Sequence, residues 1–294
     1  MILTIGETLI DNFPSYSRIG GAPLNFSIHC SNLGENVSLM SKTGNDADGM
    51  RIRELLAARG VGIEYLQTDF RHNTGKVNVE VSDNENNFDI LKDAAYDFIE
   101  YPAISPRQLE KIKCLYFGSL VQRTDNGFEV IHKLIDNMMP DALLFYDINL
   151  RPGNFTDRII RKSLEKCDVL KVNGEELAYL KKIEGFICDD RPAVSGLMEK
   201  YNLTSVAVTR GEEGAELFIG DKYIKDRIRK KIKVRDTVGA GDAFSAVLVK
   251  GLLDGWSPGM IMRKALELSS AVCTLEGAVP GIDDTGFYIR IFGN

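Results

Sequence analysis

Residues 232–253 read IKVRDTVGAGDAFSAVLVKGLL, and the order of residue types predicts a strand, a glycine-bearing turn and a helix opening at about Asp242. The first N–H groups of such a helix lack intrahelical acceptors, and the helix dipole adds partial positive charge there, so the turn is an anion site. Gly239 and Gly241 let the backbone approach that anion closely. Two familiar phosphate motifs do not fit. A Walker loop requires Gly-Lys-Ser/Thr, whereas Asp242 and Ala243 follow Gly241, and a dinucleotide fingerprint requires a small residue where Phe244 stands. Asp242 carries two readings. A carboxylate in a first helical turn is favourable by itself, by about 0.3–1 kcal/mol, which is a capping role. Beside a bound phosphate it is unfavourable unless it serves the reaction. Phosphoryl transfer to an alcohol offers that service: the carboxylate takes the hydroxyl proton while backbone N–H groups hold the transferring phosphate.

Outward from this stretch, short β-rich runs alternate with helical periodicities. ILTIG, VSLMSKTG, CLYFGS, ALLFYDIN, DVLKVN and SVAVTR read as strands; PLNFSIHCSNLG, DGMRIRELLAARG, 127–138, 156–166, GEELAYLKK, 242–253 and 258–275 read as helices. This rhythm predicts βαβ units and a parallel sheet, an α/β fold. One segment breaks it. At Gly75–Glu100, KVNVEV and FDILKD flank the polar SDNENN, predicting a β-hairpin that covers one end of the sheet as a lid, with a plain surface excursion as the alternative. Residues 1–294 are expected to form a single domain carrying this inserted lid.

The 294 residues are 44% hydrophobic and 27% charged, enough for a core and for solubility. A net charge of -6 argues against a nucleic-acid binder that relies on a broad positive field. The basic run Lys225–Arg235 is interleaved with Ile228, Ile232 and Val234 and reads as a strand with one solvated face. Five dispersed cysteines without C-x-x-C spacing suggest neither a disulfide framework nor a zinc site. The opening MILTIGE lacks a basic leader and no apolar run approaches the roughly 20 residues needed to span a bilayer, so a cytoplasmic protein is expected.

DTVGAGDAF at 236–244 resembles the second signature of the ribokinase-like (PfkB) carbohydrate kinases, and GGAPLNFSIHCSNLG at 20–34 resembles the first. GETLID, TGNDADG, DINLRP, DVLKVNGEE and VTRGEEGA extend the likeness over essentially the whole chain. The resemblance implies a three-layer sandwich with a central, mostly parallel sheet and a small β lid. It implies ATP as phosphate donor, magnesium, Asp242 as catalytic base, and Gly239, Ala240 and Gly241 as the anion hole. Asn173 and Glu176 match the element that organises magnesium and phosphate through water, although Asn-x-x-Glu is equally a helix capping box. Thr209, Arg210, Gly211 and Gly214 align with the loop at the ATP phosphates; without the resemblance TRGEEG is a charged turn. Leu266 stands where relatives often carry a polar residue facing adenine. Asp236 and Val238 align with positions flanking the family's monovalent-cation loop, which makes Asp236 a candidate potassium site.

On the sugar side the resemblance points to Asp11, Gly20, Gly21 and Asn25. A carboxylate that accepts and an amide that donates and accepts suit a polyol. Pro23 at the first helical position places Asn25 in an exposed first turn, where it is alternatively a local cap. Arg151, beyond the LLFYD strand, lies where ligands bind open α/β sheets; it pairs with the transferring phosphate, with an acidic substrate group, or in a structural salt bridge. His29, one turn after Asn25 on the same helix, either faces the site or, the preferred reading, is a satisfied structural histidine.

GETLIDNFP, IGGAPLNF, AYDFI and FGSLVQR resemble bacterial fructokinases in particular, which implies fructose as substrate. Ribokinase, 2-keto-3-deoxygluconate kinase and nucleoside kinase are the neighbouring activities, and a non-catalytic sugar- or nucleotide-sensing module is the competing class. A nicotinamide-dependent dehydrogenase is disfavoured because GETLID lacks the glycine fingerprint. The resemblance also suggests a homodimer paired through the lid.

Overall fold

The computed structural model describes residues 1–81, 86–228, 232–281, 284 and 286–293. In chain order its strands are β1 (Ile2–Ile5), β2 (Leu9–Asn12), β3 (Ser17–Gly20), β4 (Val37–Gly44), β5 (Leu66–Asp69), β6 (Gly75–Val81), β7 (Asn86–Ile90), β8 (Cys114–Phe117), β9 (Leu143–Asp147), β10 (Val169–Asn173), β11 (Ser205–Thr209), β12 (Ala215–Ile219) and β13 (Lys222–Asp226). Its helices are α1 (Ala22–Asn32), α2 (Ala47–Ala58), α3 (Pro106–Leu109), α4 (Asp125–Asp136), α5 (Asp157–Leu164), α6 (Gly174–Glu184), α7 (Asp190–Tyr201), α8 (Ala240–Leu253), α9 (Pro258–Val272) and α10 (Phe287–Phe292).

The main sheet runs β13-β12-β11-β10-β9-β8-β1-β4-β5 among the described residues. From β11 to β5 every neighbour is parallel, and β12 and β13 are appended antiparallel. Alternation along each strand sends residues to opposite faces. Ile2, Val37, Leu39, Tyr116, Phe145 and Val169 pack under α1, α2, α8 and α9. Leu3, Ile5, Phe117, Tyr146, Leu170 and Val206 pack under α4 to α7. Both faces of the parallel core are covered, which is why ILTI and VSLMSKTG are buried along their whole length. This is a three-layer α/β sandwich: its parallel sheet is the one the strand–helix rhythm predicts, and its three layers are those the resemblance implies. Among the described residues no helix is long and apolar enough to cross a membrane.

The expected hairpin forms: β6 and β7 pair antiparallel from Val77↔Ile90 to Val81↔Asn86. Residues 82–85 of its polar turn lie outside the described residues. The hairpin is half of a small sheet, β3-β2-β6-β7, whose other two strands come from residues 9–20. Leu9, Val77 and Val79 give this sheet its own apolar cluster. Two expectations are corrected. No strand forms at 232–234; Arg235 and Asp236 instead donate their N–H groups to the Cys273 carbonyl, docking this segment on the end of α9 rather than on a sheet edge. The basic run is likewise not one strand, since β13 ends at Asp226; residues 229–231 of the run lie outside the described residues.

Candidate active site

The site gathers at the carboxyl edge of the parallel strands, where β1, β9, β10 and β11 deliver their last residues toward the first turns of α1 and α8. Two glycines shape the α1 entry. A Cβ on Gly20 would lie 2.3 Å from an Asp11 carboxylate oxygen, and Gly21, at φ 115°, has the Glu7 carbonyl 2.6 Å from the equivalent position. The G-G pair is therefore the space into which Asp11 and the Glu7 backbone fit. Asp11 lies within β2 of the small sheet, opposite Arg18 of β3.

Asn25 departs from expectation. It is buried rather than exposed, and its side chain is not a cap: Nδ2 donates to Asp242 Oδ2 at 2.8 Å. The reason is tertiary, because α8 packs against α1 and the two helix starts face each other. Asp242 is itself buried at 8% exposure in the first turn of α8, and it makes no side-chain capping bond. Gly239 precedes that helix in the left-handed region at φ 77°, and a Cβ there would meet Ala278 Cα at 2.5 Å. The N–H groups of Gly241 and Asp242 have no acceptor among the described residues. The turn thus retains the unpaired donors of a helix N-terminus.

Beneath it lies a buried network that sequence reading did not assign. Lys171, on β10, donates to Asp147 Oδ1 at 3.0 Å, and its Nζ lies 3.0 Å from where a Gly241 Cβ would stand. Asp147 Oδ2 accepts from Ser245 Oγ at 2.8 Å and from Tyr116 OH at 3.2 Å. Sheet and helix are thereby clamped together directly under the α8 turn. Glu7, also buried, borders with Tyr116, Asp147 and Arg151 a small cavity of about 10 Å³. A signal existed for these residues: a charge inside an apolar strand, as in LLFYD or VLKVN, has to be paired.

Burial dominates the electrostatics. It pushes Asp242 up to about 6, with the Asp147 charge adding to the rise and the Asn25 bond, Lys171 and Arg151 opposing it. Glu7 rises to about 7 and Asp11 to about 6, both by burial, with Arg151 pulling each back. Arg151 is thus the shared counter-charge of three acidic groups; it is solvent-exposed, and no ion pair to it forms among the described residues. His29 is buried, its ring nitrogens bonded to Tyr288 OH at 2.7 Å and the Ala278 carbonyl at 3.0 Å, and burial lowers it to about 4. It is structural, as expected.

On the other side of the α8 turn opens a cavity of about 660 Å³ lined by Thr209, Gly211, Gly214, Ala240, Gly241 and Phe244, with Leu266 as an apolar wall. Arg210 is not in that lining; it donates to Asp190 Oδ2 at 2.7 Å. Asn173 and Glu176 do form the capping box: Asn173 Oδ1 accepts the Glu176 N–H at 2.8 Å and Glu176 Oε2 accepts the Asn173 N–H at 2.7 Å. The other Glu176 oxygen accepts the Leu150 N–H at 3.0 Å, which fixes the loop carrying Arg151. No cluster of three His, Cys, Asp or Glu side chains suited to a metal is present among the described residues. The Asp236 carboxylate accepts from Val238 N–H, Arg18 Nη1 and Gly277 N–H.

The geometry joins a helix start with unpaired N–H groups to a buried carboxylate, with Asn25 on one flank and a cavity of about 660 Å³ on the other. The family model for pfkB family carbohydrate kinases matches residues 15–285. The chain belongs to this family. An uncharacterized sugar kinase of Pyrococcus horikoshii is 29% identical over 270 residues, covering 86% of this chain and 83% of that protein. Its structure in complex with ATP matches with a TM-score of 0.79 at 26% identity, over 97% of this chain and 96% of that one. Fructokinase-2 of Solanum lycopersicum is 26% identical over 309 residues, 96% of this chain and 93% of that protein. A double-mutant fructokinase of Vibrio cholerae, bound to fructose, ADP and potassium, shares the fold with a TM-score of 0.83 at 21% identity, over 99% and 98% of the two chains. As a pfkB carbohydrate kinase, the chain is a phosphotransferase acting on a sugar hydroxyl.

Proposed function

We propose that this sugar kinase is an ATP-dependent fructokinase in which Asp242 is the general base. The observation that carries the mechanism is the placement of Asp242: a buried carboxylate at the open start of α8, between Asn25 on one flank and the Gly241 edge of the 660 Å³ cavity on the other. ATP occupies that cavity along Thr209, Gly211 and Gly214, with its terminal phosphate at the N–H groups of Gly239–Asp242. The sugar lies toward Asp11, Gly20, Gly21 and Asn25. Asp242 takes the hydroxyl proton as that oxygen attacks the phosphorus, and the helix start, Lys171 and Arg151 offset the charge on the transferring group.

Magnesium fits the residues present without a protein cage. Both Glu176 oxygens accept backbone N–H groups yet keep further lone pairs, Asn173 is exposed beside them, and a magnesium ion held largely by phosphate and water asks for no more. The ion supplies charge neutralisation of the phosphates when bound. Arg210 reaches the phosphates only by leaving Asp190. Closure of the small sheet over the sugar, and pairing of two copies through it, belong to the same reading, as does work in a reducing cytoplasm, which five free cysteines suit.

Fructose is supported by the named fructokinases among the relatives. Arg151, exposed and unpaired among the described residues, favours a second reading: an acidic sugar such as 2-keto-3-deoxygluconate, whose carboxylate it would hold. ADP release measured over fructose, ribose, 2-keto-3-deoxygluconate and nucleosides tests both. The highest kcat/KM is expected on fructose. A higher value on the sugar acid selects the second reading, and no ADP release on any acceptor sinks the kinase mechanism in favour of a sensing module.

A further inference from the structure

The resemblance gives Asp236 to a monovalent cation, and the donor set at Asp236 disagrees. An alkali cation is held by oxygen lone pairs turned toward it. Here the carboxylate is turned toward N–H groups: Oδ1 accepts from Val238 at 3.0 Å, and Oδ2 accepts from Gly277 at 3.2 Å and from the Arg18 guanidinium at 3.2 Å. A second cation placed beside this carboxylate would meet a fixed positive charge already there. Arg18 is also held from its other sides. Its guanidinium carbon lies 4.6 Å from the Tyr16 ring centroid and 5.5 Å from that of Phe13, and a second nitrogen pairs with Glu276. It is this fixed guanidinium charge, rather than any lack of lone pairs on the carboxylate, that makes the residues present unsuited to a bound ion at Asp236.

The position of Arg18 gives this charge a task. Asp236 begins the loop that ends at Gly239, whose left-handed turn packs on Ala278 and opens α8. Gly277, which donates to Asp236, belongs to the segment that Gly239 touches. The segments 236–239 and 276–278 are therefore one unit, and the Asp236 carboxylate is its joint. The guanidinium reaches that joint from β3, where Arg18 stands opposite Asp11 in the strand register. One side chain ties the sugar-side sheet to the backbone that shapes the phosphate turn.

We propose that Arg18 is a built-in cation: its guanidinium holds the Asp236–Gly239 loop in the place of a bound monovalent ion, so that this enzyme works without potassium. The proposal rests on the kinase reading for its rate measurement but not for its binding measurement. Arg18 acts through the loop and is a positioning residue, since no reacting atom lies on it.

The test compares potassium, sodium and choline chlorides at one ionic strength, on the whole protein, in ADP release and in thermal unfolding with and without magnesium-ATP. Wild type is expected to differ by less than about twofold in turnover among the three salts, with equal ATP-induced shifts in Tm. Loss of a charge-assisted bond of this kind corresponds to about 10- to 100-fold. Arg18→Met in choline is therefore expected to fall by that factor in kcat/KM for ATP, and to recover in potassium, because removing the guanidinium frees the Asp236 oxygen for an ion. Arg18→Lys, which keeps the charge, is expected to recover part of the loss in choline. Potassium activation of wild type well beyond twofold overturns the proposal, as does an Arg18→Met protein equal to wild type in every salt. A loss in Arg18→Met that potassium leaves unchanged, while Arg18→Lys folds normally, reduces Arg18 to a strut and also overturns it. If no acceptor turns over, the kinase reading fails while the ATP-induced Tm shifts still decide between these outcomes.

Discussion

Replacing Asp242 by Asn separates a catalytic carboxylate from a structural one, because the two roles move stability and turnover in different directions. The Asn25 Nδ2 donor at 2.8 Å keeps an acceptor in the amide oxygen, and no capping bond is lost because Asp242 makes none. What disappears is a buried charge. Burial raises the carboxyl from its ordinary 3.8 to about 6, a native-state cost of up to about 3 kcal/mol at pH 7. The native state holds this proton more tightly than the unfolded chain, so the group's contribution is most favourable below about pH 4 and is lost as pH rises through about 6. Asp242→Asn is therefore expected to be more stable than wild type at pH 7, by up to about 3 kcal/mol or on the order of 5 °C in Tm, with the gap closing toward pH 4. Turnover is expected to fall by about 100- to 10,000-fold, the usual contribution of a general base, with sugar affinity changed less. Urea unfolding at pH 7 and pH 4, with ADP release on the best acceptor, reads both quantities. Retained wild-type turnover refutes the base; a stability loss at pH 7 refutes the burial cost.

Three further outcomes follow from the same geometry. Turnover in wild type is expected to drop about tenfold per pH unit below about 6 as Asp242 takes up its proton; Lys171→Met should move that limb to higher pH and Asp147→Asn to lower pH, so pH–rate profiles shifting in a common direction would contradict the network. Asp11→Ala is expected to raise the sugar KM by about 10- to 100-fold through lost charge-assisted bonds while the ATP KM stays within about threefold; equal changes in both KM values would remove Asp11 from the sugar side. Gly239→Ala combines a left-handed φ of 77° with a 2.5 Å approach to Ala278, and thermal unfolding should show a loss of about 1–3 kcal/mol or more; an unchanged Tm would mean the turn relaxes freely.

The alternating strands and helices were legible in the order of residue types, because buried parallel strands and apolar helix faces are local patterns. That order likewise marked the glycine turn before α8, Asp242 within it, and the hairpin at 75–100, since φ > 0, helix starts and polar turns each need particular residues nearby in the chain. It also yielded His29 as structural. The rest depends on contacts between distant parts of the chain. Residues 9–20 hold two short strands whose partners are each other and β6, more than 60 residues away in sequence at Gly75, so nothing local distinguishes them from a loop. IKV at 232–234 carries strand-like residues yet forms no strand, and the chain is held just beyond it, where the Arg235 and Asp236 N–H groups bond the Cys273 carbonyl at the end of α9. Asn25 looks like a cap and becomes a donor to Asp242, 217 positions distant. Asp147 and Lys171 are each one charge in an apolar strand; their pairing exists only because β9 and β10 lie side by side with α8 across them. Arg18 and Asp236 are 218 positions apart. Residue type sets what a side chain can do, whereas the charges that face it, and hence its proton affinity and its partners, are set by distances that only the folded chain fixes.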